Sequence, residues 1–124
     1  MKLLNRSAVV ITPTCVFLEW IRSLNLSNEE CQSYLQTPIG DHEASTYLID
    51  EVESQEHYFA QLAKAAPMIL QNEFSAWDEF GDQWPSDLLN QSLDKWFDHK
   101  LAVVAFDTSA RALMVADLEK LESE

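Results

Sequence analysis

The stretch from Ser7 to Leu24, SAVVITPTCVFLEWIRSL, carries a strand pattern followed directly by a helix pattern. Its first part, Ser7 to Thr12, is apolar, rich in β-branched residues and too short for a helix, which is typical of a buried strand. Thr12 is expected to cap the helix, with Pro13 at its first position. Large apolar side chains then recur at helical spacing, at Phe17, Trp20, Ile21 and Leu24. The stretch therefore predicts a strand-to-helix unit whose apolar stripe faces a sheet.

The chain after Leu24 continues with a short helix and a second strand. Ser27 followed by Glu30 is the pattern of a capping box, which predicts a helix that ends near Gln36. Thr46 to Asp50, TYLID, alternates weakly between apolar and polar residues and predicts a strand. If this strand is parallel to the first, the connection between them should be a right-handed crossover.

A long helical pattern begins at Ser54 and is interrupted by Pro67. Proline removes one intrahelical hydrogen bond and crowds the preceding turn, so the pattern predicts either a kink or two helices, at residues 54–65 and 67–80. Gly81 is suited to the C-cap of the second helix.

Ser86 is expected to cap a further helix, whose apolar side would be formed by Leu89, Leu93, Trp96 and Phe97. Leu101 to Phe106, LAVVAF, is apolar throughout, which predicts a third strand in the centre of the sheet. Residues 107–109 can cap a last helix, although RALMVAD could instead return as a hairpin strand. The apolar positions of that helix would be Leu113, Met114, Leu118 and Leu121. Together the segments predict a single compact α/β (α+β) domain over residues 1–124, with about three strands, four to six helices covering them, and more helix than strand.

The composition is that of a small, strongly acidic globular protein. The 124 residues include 21 acidic and eight basic side chains, which gives a net charge of −13, while 47% of the residues are hydrophobic. That apolar fraction excludes disorder of the whole chain. The basic residues are scattered, which disfavours direct binding to nucleic acid and to anionic membrane surfaces. The acidity is explained either by solubility or by a surface for a basic partner.

A cytoplasmic location is expected. Met1 to Thr12 has a short apolar run without the length or the cleavage site of a signal peptide, and no apolar run approaches the roughly 20 residues of a membrane span. Cys15 and Cys31 are then expected to be reduced thiols, since two cysteines are too few for a secreted disulfide framework.

Cys15 is the single candidate for catalysis. The sequence TPTC places it in the first turn of a helix, where backbone amides stabilise a thiolate. The second cysteine of a C-x-x-C motif is missing, because Thr12 and Leu18 stand at the two positions it could occupy. A packed structural thiol is the competing interpretation.

No motif predicts a metal or a cofactor. Asp41 to Glu43, Asp-His-Glu, is a compact triplet, but three successive side chains cannot easily converge on one ion. With only Gly40 and Gly81 in the chain, a glycine-rich phosphate-binding loop is excluded. His99 is expected in the last turn of its helix, where it would meet the negative end of the helix dipole.

The stretch from Glu73 to His99 is dense in aromatic and acidic residues and holds three of the four tryptophans. Periodicity assigns most of its aromatic rings to the core, namely Phe74, Trp77, Trp96 and Phe97. Phe80 and Trp84 lie outside the helical pattern, on a connector. A tryptophan there either folds back onto the core or is an exposed anchor of the kind found at interface hot spots. The connector is edged by the carboxylates of Asp78, Glu79, Asp82 and Asp87.

The segments AVVITPTCVFLEW, TYLID and WFDHKLAVVAFD resemble a family of small acidic bacterial proteins of unknown function. The resemblance covers most of the chain and implies a compact α/β domain in a bacterial cytoplasm. It implies no active-site residue, because these segments are packing motifs without catalytic character.

We therefore expect a non-catalytic binding or regulatory domain that contacts another protein, or a second copy of itself, through the connector. Phe80 and Trp84 would anchor the partner. The neighbouring carboxylates of Asp78, Glu79, Asp82 and Asp87 would steer a basic partner to the site. One alternative is a small thiol enzyme that acts through Cys15, and another is an inhibitor that mimics nucleic acid.

Overall fold

The computed structural model describes residues 1–118, and in this range it has five strands and four α-helices. The strands are β1 (Lys2–Leu3), β2 (Ser7–Pro13), β3 (Ser45–Ile49), β4 (Phe97–Ala102) and β5 (Phe106–Asp107). The helices are α1 (Cys15–Ser23), α2 (Glu29–Gln36), α3 (Gln55–Ser75) and α4 (Leu93–Trp96). Short 3-10 turns lie at Ile39–Asp41 and Leu88–Asn90.

The main sheet has the strand order β3–β2–β4, and both of its pairings are antiparallel. Strands β1 and β5 form a separate antiparallel pair. The prediction of about three strands is therefore wrong, and the fold is α+β with antiparallel sheets. The right-handed crossover rule concerns parallel strands, so it does not apply to the connection between β2 and β3. The two additional strands have two residues each, too few to leave an alternating pattern in the sequence. Helix content exceeds strand content, as predicted.

The centre of the sheet is β2, and the prediction of a central strand at Leu101–Phe106 is wrong. Strand β4 begins earlier, at Phe97, and lies at the edge, where Phe97 pairs with Pro13 and Ala102 with Ala8. The apolar run then leaves the sheet, with Val103 and Val104 exposed. An apolar run marks a possible strand, but it does not fix which side chains are covered.

Helix α1 begins two residues later than predicted, because Pro13 remains in β2. Thr14 occupies the N-cap position in an extended conformation, and its hydroxyl donates to the carbonyl oxygen of Trp96 at 3.0 Å. The predicted apolar stripe of α1 is buried. Helix α2 is capped by Asn28 instead of Ser27, and the Asn28 Oδ1 accepts from the Cys31 backbone N–H at 2.7 Å.

Helix α3 is continuous through Pro67, so the prediction of two helices is wrong. Buried side chains flank the proline on both sides, at Ala66, Ile69 and Leu70. Their packing offsets the lost hydrogen bond, which costs about 3 kcal/mol in an unsupported helix. The helix ends at Ser75 with Ala76 as C-cap, so Gly81 caps no helix.

The predicted helix that begins at Ser86 is wrong. Asp87 has a φ of 59°, a left-handed conformation that does not continue a helix, and Ser92 caps the short helix α4. His99 consequently lies in β4 and not at a helix end. Residues 108–118 form neither helix nor strand, so the predicted last helix is wrong over this range. Its predicted apolar positions Leu113, Met114 and Leu118 are exposed. The fourth position, Leu121, lies outside the described residues.

The core is built around aromatic rings from α1, α3, α4 and β4. The Phe17 ring centroid lies 4.6 Å from that of Phe97 and 5.0 Å from that of Phe74. Phe74 is also in ring contact with Trp20, at 4.4 Å, and with Trp96, at 5.1 Å. These five residues are buried, so the helical periodicity assigned them to the core correctly. They hold the helices against one face of the main sheet.

Candidate functional site

A groove runs between α3 and the segment that leads into α4, and we call it the α3 groove. It has a volume of 510 Å³. The residues that line it include Phe59, Leu62, Ala66, Leu89, Leu93 and Asp94. Phe59 and Leu89 are 55% and 38% exposed, while Leu62 and Leu93 are buried and form part of the floor. The α3 groove is thus an apolar surface with a carboxylate at its edge.

A hydrogen-bonded chain of three side chains begins at this edge. The Asp94 Oδ1 lies 2.5 Å from His99 Nε2, and His99 Nδ1 lies 2.6 Å from the Tyr58 hydroxyl. A neutral imidazole with its proton on Nε2 satisfies all three groups, since it donates to Asp94 and accepts from Tyr58. The chain joins α3, α4 and β4.

The Asp94–His99–Tyr58 chain resembles a catalytic triad in outline, but the pKa of its tyrosine is shifted away from the phenolate form. Burial, and then the negative charge of Asp94, raise the pKa of Tyr58 above its ordinary value. The opposite shift would favour a phenolate nucleophile. Asp94 is the member of the chain that lines the α3 groove, and its hydrogen bond with His99 holds it at the groove edge. Sequence analysis missed it, because Asp94 and His99 are not neighbours on the helix that was predicted for them.

The connector predicted to bind a partner is a compact turn that is tied to the core. The indole N–H of Trp84 donates to the Asp78 carbonyl oxygen at 3.0 Å, and the Trp20 indole N–H donates to the Gln83 carbonyl oxygen at 3.0 Å. Gly81 has a φ of 78°, and a Cβ there would lie 3.2 Å from the Trp84 ring. Trp84 is half-buried and packs against the core.

The other predicted partner-binding residues are more open. Phe80 is 76% exposed, so its ring contributes little to the core. The side chains of Glu79, Asp82 and Asp87 are exposed, and Asp87 accepts a hydrogen bond from Asn90, a residue that lines the α3 groove. Asp78 is half-buried, and its Oδ2 accepts from the Gln83 backbone N–H at 2.6 Å.

A second polar cluster lies near the C-terminal end of α3. The Tyr47 hydroxyl donates to Glu73 Oε2 at 2.5 Å and accepts from Asn72 Nδ2 at 2.8 Å. Burial, together with the charge of Glu73, raises the pKa of Tyr47 above its ordinary value, although the hydrogen bond from Asn72 opposes the shift. Sequence analysis missed this cluster, because Tyr47 and Glu73 are 26 residues apart.

Cys15 is the first residue of α1 and is exposed, whereas Cys31 is buried. Neither cysteine forms a disulfide. Within residues 1–118, no side chain makes a hydrogen bond or ion pair with the Cys15 thiol, so no base is placed to activate it. We derive no thiol reaction from this arrangement.

Among the described residues, no three His, Cys, Asp or Glu side chains converge in a way that could hold a metal ion. The triplet Asp41 to Glu43 diverges, with Asp41 and Glu43 exposed and His42 buried. No helix of residues 1–118 combines the length and the apolar character needed to cross a bilayer.

Comparison with protein-family models, with curated proteins and with solved structures finds no match for this chain. The resemblance to small acidic bacterial proteins therefore stays a prediction. Arguments about function rest on the residues themselves.

Proposed function

We propose that the chain is a non-catalytic protein-binding domain of the cytoplasm, and that the α3 groove receives an amphipathic, basic segment of another protein. The observation that carries the proposal is the exposure of large apolar side chains at this groove. Phe59 and Leu89 line it, and Met68, next to the lining residue Pro67, is 63% exposed. Exposed apolar surface next to polar residues is typical of interaction sites.

Charge defines the chemistry of the partner. Asp94 lines the α3 groove, and Asp87 is hydrogen-bonded to Asn90 in its wall. The net charge of −13 adds a long-range attraction for cationic proteins and a repulsion for nucleic acid and anionic lipid. A helix with apolar residues on one face and lysine or arginine on the other matches this surface.

The Phe80–Trp84 connector is the second part of the proposed surface. Phe80 supplies an exposed aromatic ring, and Trp84 supports the turn that presents it. The carboxylates of Asp78, Glu79, Asp82 and Asp87 increase the rate at which a basic partner arrives. An aromatic ring held on a fixed turn loses little conformational freedom on binding, which favours affinity.

The test uses Phe59→Ser and the matched control Leu48→Ser. Both side chains are exposed to a similar degree, 55% and 52%, but Leu48 lies on β3. A partner captured by the wild-type chain is purified, and its affinity for each variant is measured. The proposal predicts that Phe59→Ser weakens binding by about ten-fold or more, equal to about 1.4 kcal/mol, and that Leu48→Ser does not.

Three results would contradict the proposal: equal loss in both variants, no loss in Phe59→Ser, or a purified partner that is acidic. Light scattering of the protein alone tests the second possible occupant, another copy of the chain. A stable dimer that Phe59→Ser converts to a monomer would replace the foreign partner with self-association. Salt separates the two cases, since capture of a basic partner weakens as salt rises, while an apolar dimer contact persists.

A further inference from the structure

A small cavity lies at the end of α3 remote from the α3 groove. It has a volume of 210 Å³ and is bordered by the end of β2, the start of β3, α2 and the end of α3. Its lining includes Tyr34, Glu43, Glu73 and Trp77. The rings of Tyr34 and Trp77 are in contact, with centroids 4.8 Å apart. We call this space the Glu73 cavity.

The Glu73 carboxylate is half-buried in this wall and has no cationic partner among residues 1–118. Within residues 1–118, the lysine ion pairs join Lys2 to Asp107 and Lys64 to Asp50, so neither of them includes Glu73. Its hydrogen bond from the Tyr47 hydroxyl is made by a neutral donor. The carboxylate is therefore held in place by a neutral hydroxyl donor and by no cation of the described residues.

Tyr34 and Glu43 border the same cavity. Burial, and then the charge of Glu73, raise the pKa of Tyr34 to about 12. Glu43 adds a second, exposed carboxylate to the lining. The His42 ring packs on Tyr34, with centroids 4.4 Å apart, and does not itself line the cavity.

We propose that the Glu73 cavity binds an organic cation, a primary ammonium or a guanidinium group. Carboxylates pair with such cations, and the faces of Tyr34 and Trp77 attract them through their negative ring potential. A water molecule takes about 30 Å³ of liquid, so the volume suits a ligand of up to about seven non-hydrogen atoms. This is the size of a short alkylamine or of the end of a lysine or arginine side chain.

The cation can come from a free amine or from a protein. Ser45 lines the cavity and begins β3, and β3 is an edge strand of the main sheet. An extended peptide could pair with that edge and place a basic side chain in the cavity. The inference does not depend on the α3 groove, so either proposal can fail alone.

The first experiment titrates the protein with n-propylammonium and, as a neutral control of the same shape, n-propanol. We expect saturable binding of the amine and at least about ten-fold weaker binding of the alcohol. Glu73→Gln keeps an acceptor for the Tyr47 hydroxyl and should weaken amine binding by about ten-fold or more. The matched control is Glu19→Gln, which removes one exposed carboxylate from α1 and should leave the affinity unchanged.

Equal binding of amine and alcohol would overturn the proposal, as would equal affinity in Glu73→Gln or an equal loss in Glu19→Gln. If Glu73→Gln does not fold, amine binding is measured with Trp77→Leu instead, because this variant retains the carboxylate and removes one aromatic face. Full amine affinity in a folded Trp77→Leu would count against the aromatic part of the site.

A second experiment distinguishes the two sources of the cation. An extended peptide with one central lysine is compared with the same peptide containing norleucine. If the lysine peptide binds more tightly than n-propylammonium, and the norleucine peptide does not, the source is a protein. If the lysine peptide binds no more tightly than the amine, the source is a free amine. Equal binding of both peptides would contradict recognition of a cation.

Discussion

The two ends of α3 hold their carboxylates in different ways. Near its N-terminal end, Tyr58 takes part in a chain that closes on Asp94 through His99, so that each polar group has a partner within the protein. Near its C-terminal end, Glu73 has a hydroxyl donor but no cationic partner among the residues that the structure describes. The surface beside the first cluster is apolar, and the surface beside the second is acidic. The hydrogen-bonded chain of Tyr58, His99 and Asp94 therefore supports the fold. The Glu73 carboxylate, which has no cationic partner among residues 1–118, is the group that we propose for recognition.

The largest loss of stability should come from a substitution on the buried face of α3, because this face holds both ends of the helix in place. Phe74 is fully buried between Phe17, Trp20 and Trp96, so Phe74→Ala should lower the free energy of unfolding by about 3–5 kcal/mol. The exposed Phe59→Ala on the same helix should cost less than about 1 kcal/mol. Urea unfolding measures both. Similar losses would show that Phe59 is part of the core, which would remove the basis for the α3 groove.

The next largest loss of stability should come from removing a tyrosine hydroxyl, and it should be larger at Tyr58 than at Tyr47. Tyr58→Phe leaves His99 Nδ1 without its partner in a partly buried position, which should cost about 1–3 kcal/mol. Tyr47→Phe removes a donor from Glu73, which borders an open cavity and can be hydrated, and should cost less than about 1 kcal/mol. Chemical denaturation of the two variants gives the comparison. A larger loss in Tyr47→Phe would mean that the Glu73 end is the more rigid one.

A titration to alkaline pH tests the tyrosines near both ends of α3 in one experiment. The pKa values of Tyr34, Tyr47 and Tyr58 are all raised, which means that the folded protein keeps its phenol protons longer than the unfolded chain. The contribution of these tyrosines to stability should therefore be constant below the ordinary tyrosine pKa of about 10 and should fall as pH rises above it. For Tyr34 the fall extends to its raised pKa of about 12. Phenolate absorbance should appear near pH 10 in urea and at higher pH in the folded protein; coincident titrations would contradict the assignment.

The smallest effect on stability is expected at Phe80. Its ring is 76% exposed, so Phe80→Ala should change the free energy of unfolding by no more than about 0.5 kcal/mol. Trp84→Ala removes a half-buried ring and a hydrogen bond to the Asp78 carbonyl, and should be clearly more destabilising. Thermal unfolding of both variants measures the difference. If Phe80→Ala retains the native stability and binds the partner less tightly, Phe80 acts in recognition; a large loss of stability would make it a structural residue.

Sequence reasoning succeeded where periodicity was strong and failed where the chain changes from one period to another. Phe17, Trp20 and Phe74 were placed in the core because each continues a helical stripe. The chain changes from helix to strand between Trp96 and Phe97, and both residues are buried. A single helical stripe accounts for their burial as well as this change does, so the sequence pattern does not reveal it. That error also hid His99, since its contacts with Asp94 and Tyr58 exist only when it lies in β4.

The polar clusters could not be predicted for a further reason. Glu73 meets Tyr47 only because β3 packs beside α3, and no local pattern records that pairing. The Phe80–Trp84 connector was found because it interrupts a pattern. Its geometry shows the exposure of Phe80, and binding of a partner there is a prediction.

The most direct measurement follows the four tryptophan indole N–H signals by nuclear magnetic resonance while n-propylammonium is added. Three of these groups donate within the protein: Trp20 to Gln83, Trp84 to Asp78, and Trp96 to Gln91 in the wall of the α3 groove. Within residues 1–118, the Trp77 indole makes no hydrogen bond, and Trp77 lines the Glu73 cavity. Our account predicts a saturable shift of the Trp77 signal alone, which Glu73→Gln abolishes. An unchanged Trp77 signal, or equal shifts of all four, would contradict the claim that the two ends of α3 differ in this way.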